Sequence, residues 1–191
     1  MKNLIIYAHP NKTGHCGEYL KSVEKELKKK DYEYEVINLY EENFNPILLP
    51  SEHYTSGNRD FEIKVLDYQK KITASKKIIL IYPNWWNGVP AILKGFFDRV
   101  FTPHFGYKYI KGVPVGLLKG KKTIIFTSTG GPWIYTYFVK KMRFLKSVRN
   151  DVLSFCGIKS KAYVLYSANK MTNRDVVNIE KYVKRGMKYL F

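Results

Sequence analysis

Cysteine is almost missing from this 191-residue chain: Cys16 and Cys156 lie far apart and outside any metal-ligand spacing. That excludes a disulfide framework and argues against a zinc site. The four histidines, His9, His15, His53 and His104, form no His-x-x-x-His pattern, so no metal is expected. No segment approaches the roughly 20 consecutive apolar residues of a membrane span. The apolar run within Met1 to Pro10 is too short for a signal peptide and ends in a turn. A soluble, cytoplasmic protein with no membrane insertion is expected. Carboxylates are scarce too, 16 Asp and Glu against 33 Lys and Arg, for a formal net charge of +17. The lysines are dispersed along most predicted helices, as solvated faces are, so no nucleic-acid partner is expected. The positive field does favour encounters with anions.

What is present, 45% hydrophobic residues, suffices for one core, and the length predicts a single domain over 1–191. Apolar, β-branched runs at Asn3–Ala8, Tyr34–Leu39, Lys77–Tyr82, Lys122–Thr127 and from near Lys159 to Tyr166 read as strands. Between them, helical spacing predicts helices over Glu18–Lys30, Phe61–Ser75, Ala91–Val100, Tyr135–Phe155 and Arg174–Leu190. In the second of these Ile63, Leu66, Lys70 and Thr73 recur turn by turn, widened by Val65 and Ile72. The stretch Tyr40–Arg59, with Pro46, Pro50 and Gly57, shows no period, and a long loop follows Val100. Strands alternating with helices imply an α/β fold, a doubly wound parallel sheet of five strands with helices on both faces.

In such sheets ligands bind outside the carboxyl ends of the strands. Three loops there have unusual composition. His9–Gly17 runs into a helix start, where unpaired N–H groups favour a phosphate; Thr13 adds a hydroxyl, and Gly14 and Gly17 permit close approach. It is neither a Walker loop nor a Gly-x-Gly-x-x-Gly fingerprint. Pro83–Val89 carries Trp85 and Trp86, which a planar ring could cover by stacking. Ser128–Trp133 offers backbone donors at Thr129, Gly130 and Gly131 to a developing negative charge. Each loop alone is also an ordinary turn. Cys16, beside the helix start, is either a thiol activated there or a small packed one.

Three blocks carry a resemblance: Ile5–Pro10 (IIYAHP), Pro83–Trp86 followed by Val89–Val100 (VPAILKGFFDRV), and Ser128–Gly131 (STGG). They resemble the flavodoxin-like NAD(P)H:quinone oxidoreductases, which include the general stress protein group and the ancillary oxidoreductases of bacterial potassium-efflux systems. The resemblance implies strand order 2-1-3-4-5 and an FMN cofactor, with FAD as the alternative. It also implies NAD(P)H as donor and a quinone-like acceptor, reduced by two electrons after the nucleotide has left. Under it, His9, Thr13, Gly14, His15 and Cys16 hold the flavin phosphate. Pro83, Asn84, Trp85, Trp86 and Asn87, with Ser128, Thr129, Gly130 and Gly131, line the ring; Tyr135, Gly130 and Gly131 serve catalysis. A homodimer is implied, with Thr102–Lys111 as part of the contact or a lid, and the potassium-efflux resemblance allows a peripheral transporter partner. Three departures stand out. The usual Ser-Phe-Asn of the phosphate loop reads Gly14-His15-Cys16, no histidine occurs in Thr136–Phe144, and Asn84 and Asn87 replace apolar residues. A non-catalytic flavodoxin-type carrier, a redox-sensing regulatory subunit and a binding protein for nucleic acid or an acidic partner are the competing readings.

Overall fold

The computed structural model describes residues 3–56 and 60–191; the last three residues of the aperiodic stretch, Gly57 to Arg59, lie outside the described residues. Five strands, β1 Asn3–Tyr7, β2 Tyr34–Asn38, β3 Lys77–Pro83, β6 Lys122–Ser128 and β7 Lys159–Leu165, form one parallel sheet in the order β2-β1-β3-β6-β7. This is the expected order, interrupted in the chain by a short hairpin, β4 Tyr107–Ile110 and β5 Val113–Gly116.

Successive side chains of a strand point to opposite faces, and here both faces are covered. Ile5 and Tyr7 of β1, with Ile79, Ile81, Ile124 and Phe126, pack beneath α1 (Gly14–Lys29) and α5 (Asn173–Leu190). Leu4 and Ile6, with Ile78, Leu80 and Ile125, pack beneath α2 (Ile63–Ala74), α3 (Ala91–Val100) and α4 (Arg143–Lys146). Each such side chain stabilises the fold by roughly 1.5–3 kcal/mol. Among the described residues no helix is long and apolar enough to cross a membrane.

The middle sequence block owes its composition to one connection. Arg99 is fully buried and donates from Nε and one terminal nitrogen to the Glu52 carboxylate at 2.7 and 2.6 Å. Its other nitrogen donates to the Asn45 carbonyl at 2.7 Å, and Glu62 lies 3.0 Å away. A Cβ at Gly95 would collide with the Pro46 backbone, so only glycine lets α3 lie against this loop. Gly95 and Arg99 thus turn an aperiodic stretch into a fixed wall.

Four expectations need correction. First, α1 begins at Gly14, not Glu18, so His15 and Cys16 belong to its first turn. Second, the buried stripe of α2 is Val65, Tyr68 and Ile72, while Ile63 and Leu66 face outward. Third, the single helix over Tyr135–Phe155 is broken. A wide turn, Tyr135–Val139, precedes Lys141 and Met142, both in the left-handed region at φ 54°, and only then does α4 start, continuing as wide turns over Ser147–Ser154. Phe144, Leu145, Val148 and Leu153 are buried, whereas Thr136 alone is buried within Tyr135–Val139, so only the second half has core to follow. Fourth, the loop after Val100 contains the β4–β5 hairpin. Its two-residue turn puts Lys111 at φ 50° and Gly112 at φ 79°, the mirror-image turn that suits the twist of hairpin strands.

Candidate functional site

The carboxyl ends of β1, β3, β6 and β7 open into a cleft of about 460 Å³. The β1 loop is built on Asn11. Its side-chain oxygen accepts from the Thr13 amide at 3.2 Å and the Thr13 hydroxyl at 2.9 Å, an Asx-type turn that sets Thr13 as the residue before α1. The Asn11 carbonyl accepts from the Tyr7 hydroxyl at 2.7 Å and lies 2.8 Å from His9 Nδ1. Burial pushes the Tyr7 hydroxyl pKa upward, so Tyr7 acts as a neutral donor. No side chain caps α1 and its first turn has no acidic residue, which leaves helix amides and the positive dipole end available to an anion.

Gly14 and Gly17 serve different ends. Gly14 takes φ 74°, a conformation glycine tolerates, with nothing within 4 Å of where a Cβ would sit. Gly17 is buried, and a Cβ there would overlap the Lys12 carbonyl. Its role is to let α1 close on its own entry loop.

The β3 and β6 loops are joined through Asn84. Its amide N–H donates to the Ser128 carbonyl at 2.8 Å, and Nδ2 donates to Thr129 Oγ1 at 3.0 Å. Asn84 Oδ1 is buried with no partner. The Thr129 amide, one of the expected anion donors, donates instead to the Leu165 carbonyl at 2.8 Å. The Gly131 amide meets Thr129 Oγ1 at 3.4 Å. At Gly130 a Cβ would sit 2.6 Å from Asn169 Oδ1, so any larger residue there must displace the Asn169 side chain.

Trp85 and Gly88 exchange backbone hydrogen bonds of 3.1 and 2.9 Å around Trp86 and Asn87, both at positive φ. This tight turn splits the two indoles. Trp85 lines the cleft, its ring centroid 5.9 Å from that of His9, while Trp86 is fully exposed.

Of the residues expected from sequence, the cleft gathers His9, Thr13, Gly14, His15, Cys16, Pro83, Asn84, Trp85, Ser128, Thr129 and Gly130. Trp86, Asn87, Gly131 and Tyr135 stand next to it without lining it. Asn87 ties its turn to the Lys140 carbonyl at 3.4 Å, and the half-exposed Tyr135 ring lies 3.6 Å from where a Gly131 Cβ would be. Sequence reasoning missed Asn11, Ala168 and Asn169. The last two sit after β7, and the topological rule that singled out three loops applies equally to this fourth one. Cys16 is not an activated thiol: burial pushes it up to about 12, only partly offset by the Ser128 hydroxyl 4.0 Å away. Being packed under the loop outweighs the helix start.

Residues 1–189 match the family described as having a flavodoxin-like fold. An uncharacterised NAD(P)H oxidoreductase of Haemophilus influenzae is 34% identical over 168 residues, 87% of this chain and 83% of that protein. An FMN-dependent NADH:quinone oxidoreductase of Clostridium perfringens is 32% identical over 85% of this chain and 81% of its own length. Among solved structures, an NAD(P)H:quinone oxidoreductase from Methanothermobacter marburgensis is similar with a TM-score of 0.82 at 26% identity, covering 99% of this chain and 96% of that one.

Proposed function

This chain belongs to the family with the flavodoxin-like fold, and from that premise we infer that it is an FMN-dependent oxidoreductase that passes two electrons from NAD(P)H to a quinone-like acceptor. The observation that carries this reading is the single cleft into which four strand-end loops deliver an open helix start, an indole and an unpartnered amide oxygen. These features fit FMN. The phosphate suits the first turn of α1 and the Thr13 hydroxyl, and the Asn84 oxygen suits an N–H on the edge of an isoalloxazine ring.

When bound, FMN supplies the two-electron chemistry; the chain supplies position and electrostatics. His9 and residues 13–16 hold the phosphate end. Pro83, Asn84 and Trp85 form one wall and Ser128 to Gly130 the other. Tyr135, Trp86 and Asn87, at the outer margin, meet the nicotinamide or acceptor rather than the tail. The large exposed side chains around that margin, Trp86, Ile134, Tyr137 and Phe138, together with Tyr109 on the hairpin, are covered by a second copy of the chain in a homodimer.

The purified protein is expected to show a visible flavin spectrum, or to acquire one with added FMN, and to oxidise NADH or NADPH only with a quinone or dye present. Protein that stays colourless in excess FMN rejects the assignment. Elution at monomer mass across micromolar concentrations rejects the dimer alone.

A further inference from the structure

His15, the second residue of α1, lines the cleft, yet its Nε2 is sealed from solvent and has no hydrogen-bond partner. The group it faces is Asp175 in the first turn of α5: Nε2 and Oδ2 are 3.6 Å apart, with the side chains 11% and 15% exposed. Asp175 is firmly ionised. Burial pushes its carboxyl up, but the Thr172 hydroxyl at 2.7 Å and the Thr172 amide at 2.9 Å both donate to it and, with a smaller contribution from His15, hold it below the usual carboxylate range. Among the described residues no lysine or arginine pairs with it.

Asp175 is fixed by its capping box with Thr172 at the start of α5, and a carboxylate held this close to the anion-binding end of α1 repels a second anion unless a positive charge stands between the two. The other titratable groups around His15 do not supply it. Glu18 and Tyr19, one turn further along α1, bring no positive charge; Lys12 is held by Glu41 at 2.8 Å; His9 packs against Trp85. Arg174, next to Asp175 in the chain, makes no ion pair with it.

We propose that His15 is a specificity-determining residue that binds as the imidazolium, flanked by the Asp175 carboxylate and the phosphate monoester of FMN, and so selects the phosphorylated flavin over riboflavin. Asp175 is its positioning residue. Two anions around one imidazole favour its charged form, so FMN binding and proton uptake are linked. This rests on the FMN reading above.

The test is flavin-fluorescence titration of the full chain with FMN and with riboflavin between about pH 5.5 and 8.5, the interval in which imidazoles change charge. FMN affinity of the wild type, divided by that of His15→Gln, is expected to fall roughly tenfold as pH rises, in line with loss of a charge-assisted hydrogen bond. The quotient removes the phosphate's own ionisation, and riboflavin affinity stays level. Asp175→Asn, which keeps a capping side chain on α5, is expected to move the wild-type midpoint to lower pH. Identical FMN profiles for wild type and His15→Gln overturn the proposal. Calorimetry of wild-type FMN binding near pH 7.5 in two buffers of different ionisation heat needs no variant; zero net proton uptake also overturns it. Protein that binds neither flavin at any pH fails the FMN reading instead, a separate outcome.

Discussion

Thr129 carries more of the site than its size suggests, because its hydroxyl is the acceptor that orients Asn84 Nδ2 at 3.0 Å. Thr129→Val leaves that amide unsatisfied and frees Asn84 to turn; FMN affinity is expected to drop by the equivalent of about 1–3 kcal/mol, read by equilibrium titration with the fold checked by circular dichroism. The two thiols make a second residue-scale prediction. Burial raises both Cys16 and Cys156 from an ordinary value of 9.0 to about 12. Since the folded values lie above the unfolded one, the stability they contribute is complete below about pH 9 and is lost as pH rises towards 12. Folded protein at pH 8 should react with neither Ellman's reagent nor iodoacetamide on the timescale of a free thiol; rapid labelling of either cysteine without unfolding contradicts the packing described. Sequence alone could place Cys16 at a helix start, yet not beneath its neighbours, and that burial decides the sign of the shift.

At the scale of elements, α1 and its entry loop move together. Gly17→Ala pushes a methyl group into the Lys12 carbonyl, and overpacking of this kind costs roughly 1–3 kcal/mol. Both the urea midpoint and FMN affinity should fall; an unchanged affinity would show that the loop reshapes without cost to the site. Arg99→Ala strands a buried Glu52 and is expected to remove about 3–5 kcal/mol of stability, measured by urea unfolding, whereas exposed Lys94→Ala removes less than about 1 kcal/mol. The five core strands could be read from sequence, because each carries an apolar run ending at its own turn signal, while their order came only with the family resemblance. The hairpin could not: its strands are four residues long and largely exposed, and the turn is Lys-Gly rather than Asn-Gly. The break at Lys141 and Met142 was equally silent, since neither glycine nor proline marks it. The outward face of α2 misled for a related reason, since Ile63 and Leu66 satisfy a helical period without being buried. Along the cleft, the loops with unusual residues declared themselves, while Asn169 matters through Gly130, to whose carbonyl it donates at 3.4 Å, a partner 39 positions away.

For the whole molecule, the formal charge of +17 is unevenly placed: from Arg99 to Asn150 the chain has no Asp or Glu, and this stretch supplies the Ser128–Gly130 rim. A dinucleotide anion is drawn towards that side, so kcat/KM for NADH or NADPH should decline several-fold between about 0.01 and 0.15 M salt, where the screening length shrinks from roughly 30 to 8 Å. Insensitivity to salt in stopped-flow reduction would mean that the charge serves something other than encounter. The Arg99–Glu52 lock bears on how such a chain can diverge. Either position altered alone passes through a poorly folded ancestor, while joint replacement by two apolar residues removes both buried charges at once. Lineages should therefore keep or discard residues 52 and 99 as one inherited character, 47 positions apart in the gene yet acting as a single locus.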